Sequence, residues 1–219
     1  MKSLRLVPGR RWAFTMVELL VVVALIGVLV GTIGLALRSP GEGMALQAAQ
    51  ATVASLCGAA RGQAALTGQN ARLVIAADPG DLACYLRYLQ IVHEDSAGSD
   101  HWRSEGAGVY FPRGVYVVPP EGSLVPGNPD WPASRRSTAL SAAAQDMVIN
   151  GVAAGAFYHV QFSSRGTTGG GNLVLTAGRM TAGTAGTALA LDNPDDVRGV
   201  LLRSSGALTL INDARAFPP

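Results

Sequence analysis

The feature that most constrains this chain is residues 14–37, FTMVELLVVVALIGVLVGTIGLAL, an apolar run with a single ionisable side chain, Glu18. An α-helix rises about 1.5 Å per residue, so a helix of this length covers roughly 36 Å, more than the roughly 30 Å hydrocarbon core of a bilayer. The run therefore predicts a membrane-spanning helix over residues 14–38. A span needs no carboxylate, so the presence of Glu18 requires its own explanation.

The residues before the apolar run set the expected orientation. Cytoplasmic flanks of membrane helices carry an excess of Lys and Arg, which predicts a cytoplasmic N-terminus and an exported C-terminal part. A cleaved secretory signal has a shorter apolar core, followed by a small-residue cleavage site, and this segment has neither. An uncleaved signal anchor is one interpretation. The basic residues are Lys2, Arg5, Arg10 and Arg11.

The order of residues at the start of the run resembles the type IV prepilin signal. Ala13 is the small residue before the apolar stretch, Phe14 and Thr15 follow, and Glu18 is fifth when Phe14 is counted as first. The resemblance implies that a prepilin peptidase and methyltransferase cuts between Ala13 and Phe14 and methylates the new N-terminus on Phe14. The family usually has glycine before the cut, where this chain has Ala13.

The prepilin resemblance gives Glu18 a physical role. A carboxylate within hydrocarbon costs a few kcal/mol unless it finds a partner. We expect the new amine of Phe14 on one subunit to neutralise Glu18 of a neighbour, because a subunit out of register would leave a charge unpaired. The alternative is that Glu18 reaches the nearby interface, since it lies one turn into the span.

Charge and composition restrict the remaining function classes. The whole chain has a net charge of +2, but 13 basic and 15 acidic residues remain once the leader is removed, a net of −2. The basic balance therefore gives no reason to expect nucleic-acid binding. The sequence has no nucleophile elbow, paired-carboxylate motif, cofactor fingerprint or zinc-ligand spacing, so we expect no enzyme activity, cofactor, metal site or small-molecule substrate.

Residues 39–67 are predicted to continue the helix as an amphipathic segment. Pro40, Gly41 and Gly43 are expected to interrupt or kink it, and a helical pattern resumes from about residue 44 to 66. Gln47, Gln50, Ser55 and Arg61 lie off its apolar stripe, and this narrow, Ala-rich stripe suits close packing on a sheet. The stripe consists of Leu46, Ala49, Val53, Leu56, Ala60 and Ala64.

Residues 68–219 are predicted to form a β-rich head of antiparallel strands. The pattern indicates strands at 71–77 and 84–93 joined by a turn, a kinked strand at 109–118, strands at 157–162 and 172–177, and a hairpin at 197–212. We interpret residues 94–108 as a solvated loop and residues 119–136 as a long surface loop, with Arg135 and Arg136 in solvent. Residues 138–146 are predicted to form a short helix. Residues 147–152 are ambiguous, and residues 178–186 are expected to be flexible.

The end of the amphipathic helix resembles the H-type, FimT-like minor pseudopilins of type II secretion systems. In that class an AR-x-x-A stretch is followed by a short polar turn and a strand, as at residues 60–64, 67–70 and 71–75 here. The class also ends in a hairpin. The resemblance implies an α+β fold in which a long N-terminal helix, half transmembrane and half amphipathic, packs on the head.

The two cysteines, Cys57 and Cys84, have two possible roles. In an oxidising compartment they could form a disulfide, and otherwise they are small apolar side chains. Their spacing is not that of a zinc site.

Together these features predict four segments: a leader at 1–13, a transmembrane helix at 14–38, an amphipathic helix at 39–67 and a periplasmic head at 68–219. The resemblance implies a minor pseudopilin, a single-pass protein of a bacterial inner membrane that assembles with other pseudopilins to assist protein export. The alternatives are a minor type IV pilin for adhesion, motility or DNA uptake, and an uncleaved signal-anchored protein with a binding or enzymatic head.

Overall fold

The computed structural model describes residues 16, 17, 20–23, 25, 26, 40–104, 106–120, 131–183 and 186–217. Of residues 40–42, 180–183 and 186–189 only the backbone is described. The chain divides into two compact units, Met1–Gly41 and Glu42–Pro219. In the first unit the described residues are helical. The second unit contains the head and nearly all of the long helix.

The long helix, α1, spans Pro40–Thr67, 28 residues. Proline suits the first position of a helix, because its missing N–H has no helical partner there. Gly41 and Gly43 are helical and therefore do not interrupt α1. The predicted interruption or kink at Pro40 borders residues outside the described positions and stays a prediction. The predicted amphipathic helix is otherwise confirmed, and α1 ends at Thr67, before Gly68 adopts a φ of 67° that favours glycine.

The first sheet closes on itself. Strand β1 pairs with β2 and β7, β7 with β6, β6 with β3 and β3 with β2, so five strands form a ring, and β4 extends it from β2. The β3–β6 pair is parallel, whereas the head was predicted to be antiparallel throughout. The strands are β1 Ala71–Ala76, β2 Tyr88–Glu94, β3 His101–Arg103, β4 Val109–Tyr110, β6 Gln145–Ile149 and β7 Val152–Phe162.

The second sheet is antiparallel, in the order β11-β10-β8-β5. Strand β8 is long: its first half pairs with β10 and β5, and its second half pairs with β9. The predicted C-terminal hairpin is confirmed as β10 and β11. The strands are β5 Val115–Val117, β8 Gly171–Gly183, β9 Gly186–Leu191, β10 Val197–Leu202 and β11 Leu208–Ile211.

Two apolar clusters occupy the opposite faces of the first sheet. Leu73 and Ile75 of β1 belong to the main cluster, which also contains buried residues of α1 and of the second sheet. Val74 and Ala76, which alternate with them, belong to a smaller cluster with Trp102, enclosed by the ring. Alternate residues of a strand face opposite sides, so β1 contributes to both.

Several segments of the head differ from their prediction for identifiable reasons. Residues 178–183 are strand rather than flexible chain, because β9 pairs with them. The predicted loop at 94–108 contains β3, and the second predicted strand begins at Tyr88, since residues 84–87 form turns. The predicted kink at residues 112–114 is confirmed in a stronger form: there the chain passes from β4 in the first sheet to β5 in the second.

The region before β7 was predicted least well. The helix predicted at 138–146 is wrong, and β6 begins at Gln145. A hairpin joins β6 to β7 through Asn150 and Gly151, whose φ angles of 54° and 78° suit a type I′ turn. Arg136 is buried, which contradicts its predicted solvated position, and Arg135 pairs with Asp195 at 2.6 Å.

One buried polar side chain joins α1 to the second sheet. The Nε2 atom of Gln50 donates hydrogen bonds of 2.8 Å to the carbonyl oxygens of Gly199 and Ile211, which are partners across β10 and β11. Gln50 is 2% exposed. Its predicted position off the buried stripe is therefore wrong, because these two strand carbonyls satisfy its amide inside the core.

We expect Gln50→Leu to lower the free energy of unfolding by about 2 kcal/mol, because two buried carbonyls lose their donor while the apolar volume is roughly kept. The measurement is urea unfolding of the full chain in nonionic detergent. Gln47→Leu, an exposed change on the same helix, should stay within about 0.5 kcal/mol of the wild type. Equal stability of the two variants would contradict the role of Gln50.

Candidate functional site

The predicted N-terminal site residues are not among those that the structure describes. Ala13, Phe14 and Glu18 lie outside the described positions, so cleavage, methylation and charge pairing stay predictions. The described residues of this segment are helical, and their apolar side chains are exposed, from 46% at Val22 to 90% at Met16. Within the described part of the chain, no helix combines the length and apolar character that a membrane crossing requires.

Helix α1 presents two different faces. Its buried stripe follows the helical period and packs in the main core, with Cys57 in the position predicted for Leu56, which is only partly buried. We call the opposite, solvent-exposed side the outer face. The buried stripe consists of Leu46, Ala49, Gln50, Val53, Cys57, Ala60 and Ala64. The outer face consists of Gly43, Met44, Gln47, Ala48, Ala51, Ser55, Gly58, Ala59, Ala65 and Leu66.

The outer face is uncharged and built mainly from small side chains. Across the 28 residues of α1 the charged side chains are Glu42 and Arg61. A β-carbon added at Gly43, Gly58 or Gly62 would meet no atom within 4 Å. The fold therefore does not need glycine at these positions, although each costs about 1 kcal/mol relative to alanine in a helix. Small residues of this kind allow a second helix to approach closely.

A shallow groove runs beside the outer face. It has a volume of about 300 Å³ and lies between α1 and strand β2. Leu56 and Ala59 form its helical wall, and Leu89 and Ile91 form its floor. Leu66 near the end of α1 is 86% exposed, and Met44 near its start is 68% exposed. The apolar surface of the helix thus continues beyond the small residues at both ends.

Arg61, in the AR-x-x-A stretch, packs against two glycine turns of the head. Its Nη1 atom lies 3.4 Å from the carbonyl oxygen of Gly206. A β-carbon at Gly166 would lie 3.0 Å from Arg61 Nε, and one at Gly206 would lie 2.9 Å from the same atom and would overlap the Gly166 oxygen. Both glycines have positive φ angles, of 73° and 77°. The resemblance found in the sequence therefore coincides with a contact between α1 and both turns.

The two cysteines are free thiols, so the possible disulfide is not formed. Cys57 is fully buried in the main core, whereas Cys84 packs against the cluster enclosed by the ring, on the other face of the first sheet. Burial raises the pKa of Cys57 to about 12. Partial burial, followed by a hydrogen bond with Asp81, raises the pKa of Cys84. Neither thiol is an activated nucleophile.

Several other titratable groups of the head have structural partners. Asp95 pairs with Arg103 at 2.6 Å, and Glu94 accepts a hydrogen bond from the Asn70 side chain. Burial and the charge of Arg72 lower the pKa of His159 to about 4, which keeps its ring neutral. Among the residues that the structure describes, no group of His, Cys, Asp and Glu side chains is arranged to hold a metal ion.

The position of the cysteines predicts their reactivity. In native protein at about pH 8 we expect a maleimide to label Cys84 slowly and Cys57 not at all, because the thiolate is the reactive form and both pKa values are raised. Mass spectrometry should show a single adduct before unfolding and two after it. A native mass lower by two hydrogens, with labelling only after reduction, would contradict this assignment.

Comparison with known proteins gives matches by structure and not by sequence. No protein-family model and no curated protein matches the chain. Two solved structures of the minor pseudopilin EpsH from the type II secretion system of Vibrio cholerae are similar to it, each at 12% identity with a TM-score of 0.42. One match covers 76% of this chain and 96% of the EpsH chain, and the other covers 77% and 94%.

Proposed function

We propose that this chain is a minor pseudopilin, a structural subunit that assembles through α1 into the short filament of a type II secretion system. The observation that carries the proposal is the outer face of α1, a long exposed helical surface without charge and with two glycines, Gly43 and Gly58, that the fold itself does not require. A solvated helix normally carries charged residues on its exposed side. Close packing by the helices of neighbouring subunits accounts for their absence.

The N-terminal sequence supports the same proposal. In the proposed mature subunit the chain starts at Phe14, and the apolar run anchors it in the inner membrane with the head in the periplasm. The Phe14 amine of one subunit pairs with Glu18 of the next, which sets the register of assembly. The partners are the prepilin peptidase and methyltransferase and the other pseudopilins. The proposed work of the protein is assembly, with no reaction of its own.

Gly58 at the centre of the outer face provides the sharpest test. Gly58→Leu should leave the stability of the isolated chain unchanged or higher, because its β-carbon meets no atom within 4 Å and leucine favours the helix. Recovery of the variant with partner pseudopilins from sheared filaments should fall by at least about tenfold, which corresponds to a loss of about 1.4 kcal/mol of association free energy.

The Glu18→Ala variant should insert in the membrane as the wild type does, but it should also be lost from the filaments.

The matched control is Gly169→Leu on the head, another exposed glycine whose β-carbon would meet no atom within 4 Å. Its recovery with the filaments should equal that of the wild type. If Gly58→Leu is as stable as the wild type and is also incorporated normally, the outer face is not an assembly surface, and the proposal fails. Loss of both variants would point to a general intolerance of leucine and would equally contradict the assignment.

A further inference from the structure

Three arginines extend from one place on the head. Arg165 and Arg203 belong to the two turns that Arg61 contacts, and we call the three together the arginine patch. Each turn is closed by a backbone hydrogen bond of 2.7 Å, from Gly166 to Ser163 and from Gly206 to Arg203. The Thr168 N–H bonds the Ser204 carbonyl at 3.1 Å, which ties the turns together. All three arginines are exposed.

The backbone fixes the spacing of the patch. The tight contact between Gly166 and Gly206 leaves no room for a side chain between the turns. Arg61 reaches this contact from α1, and its Nη1 atom lies 3.4 Å from the Gly206 oxygen. The patch therefore rests on three elements that hold one another in place, so its three arginines start from neighbouring positions of the backbone before any partner binds.

The charges of the patch are not neutralised by the residues that the structure describes. Three other arginines of the head form ion pairs, Arg103 with Asp95, Arg135 with Asp195 and Arg179 with Asp192. No carboxylate of the described residues lies within ion-pair distance of Arg61, Arg165 or Arg203. The chain after residue 13 has a net charge of −2, so this local positive excess opposes the overall charge.

We propose that the arginine patch docks an acidic segment of a partner protein. Arginine guanidinium groups bind carboxylates through two parallel hydrogen bonds, and several fixed close together select a run of Asp or Glu over a single acid. The assignment goes beyond the proposed assembly function and does not depend on it, because it uses the turns of the head and no residue of the outer face.

The patch fits a protein better than nucleic acid. Proteins that bind single-stranded nucleic acid combine a basic groove with aromatic side chains on which bases stack. Phe162, the aromatic residue that precedes the turn of Arg165, is 0% exposed. Proteins that bind duplex DNA tightly neutralise about 6 to 10 phosphates, and this patch offers three cations.

The patch also fits a protein better than a lipid surface. Basic segments that recognise anionic lipids carry about 4 to 8 Lys or Arg, placed beside a membrane helix or along an amphipathic helix. This patch offers three arginines, on three separate elements of the structure.

The test measures binding of fluorescein-labelled poly-L-glutamate to the full chain in nonionic detergent by fluorescence anisotropy. We expect binding that weakens as salt rises from about 50 to about 200 mM. The double variant Arg165→Ala with Arg203→Ala should bind about tenfold more weakly. The variant with lysine at both positions should retain part of the affinity, because it keeps the charge but loses the paired hydrogen bonds.

The matched control is Arg113→Ala with Arg215→Ala, which removes the same charge from two other exposed positions of the head. It should bind poly-L-glutamate as the wild type does. Absence of binding at low salt, or equal losses in the control and in the patch variant, would overturn the proposal. So would tighter binding of oligothymidine or of phosphatidylglycerol vesicles, because the ligand would then be a phosphate polyanion. Unfolding midpoints of all variants should match the wild type.

Discussion

The architecture of the head depends on how closely α1 approaches the sheets, and Gln50 is the residue that fixes this approach. Its amide satisfies two strand carbonyls at the point where β10 and β11 pair, so the helix cannot slide or rotate without leaving buried carbonyls unpaired. The alanines of the buried stripe let α1 come near enough for this contact. Because this contact sets the rotation of α1 about its axis, it also determines which residues form the outer face.

The sequence predicted the elements whose evidence is local. The amphipathic helix, the strand pair at 71–94 and the C-terminal hairpin each have a periodicity or turn that acts within a short stretch. Residues 138–152 were predicted less well, although the Asn150-Gly151 pair is a strong hairpin indicator, because the alanines before it favoured a helix. The parallel pairing of β3 with β6 joins strands that are distant in the chain, and no local pattern encodes it.

The functional surfaces were predicted unevenly for the same reason. Gln50 was assigned to solvent because periodicity treats every glutamine as polar, and its partners lie about 150 residues further along the chain. Gly58 and Gly166 look alike in sequence, yet the first has open space around it and the second is pressed against Arg61. The structure thus separates glycines that the fold requires from glycines that it does not require.

The proposed assembly of a processed subunit explains the exposed uncharged helix, the apolar run with one acid and the α+β head together. The cut after Ala13 is the essential step, because it creates the amine that Glu18 needs. The most direct measurement is the intact mass of the chain extracted from the membranes of cells with an active prepilin peptidase. We expect a chain that begins at methylated Phe14, and a chain that still begins at Met1 would contradict the proposal.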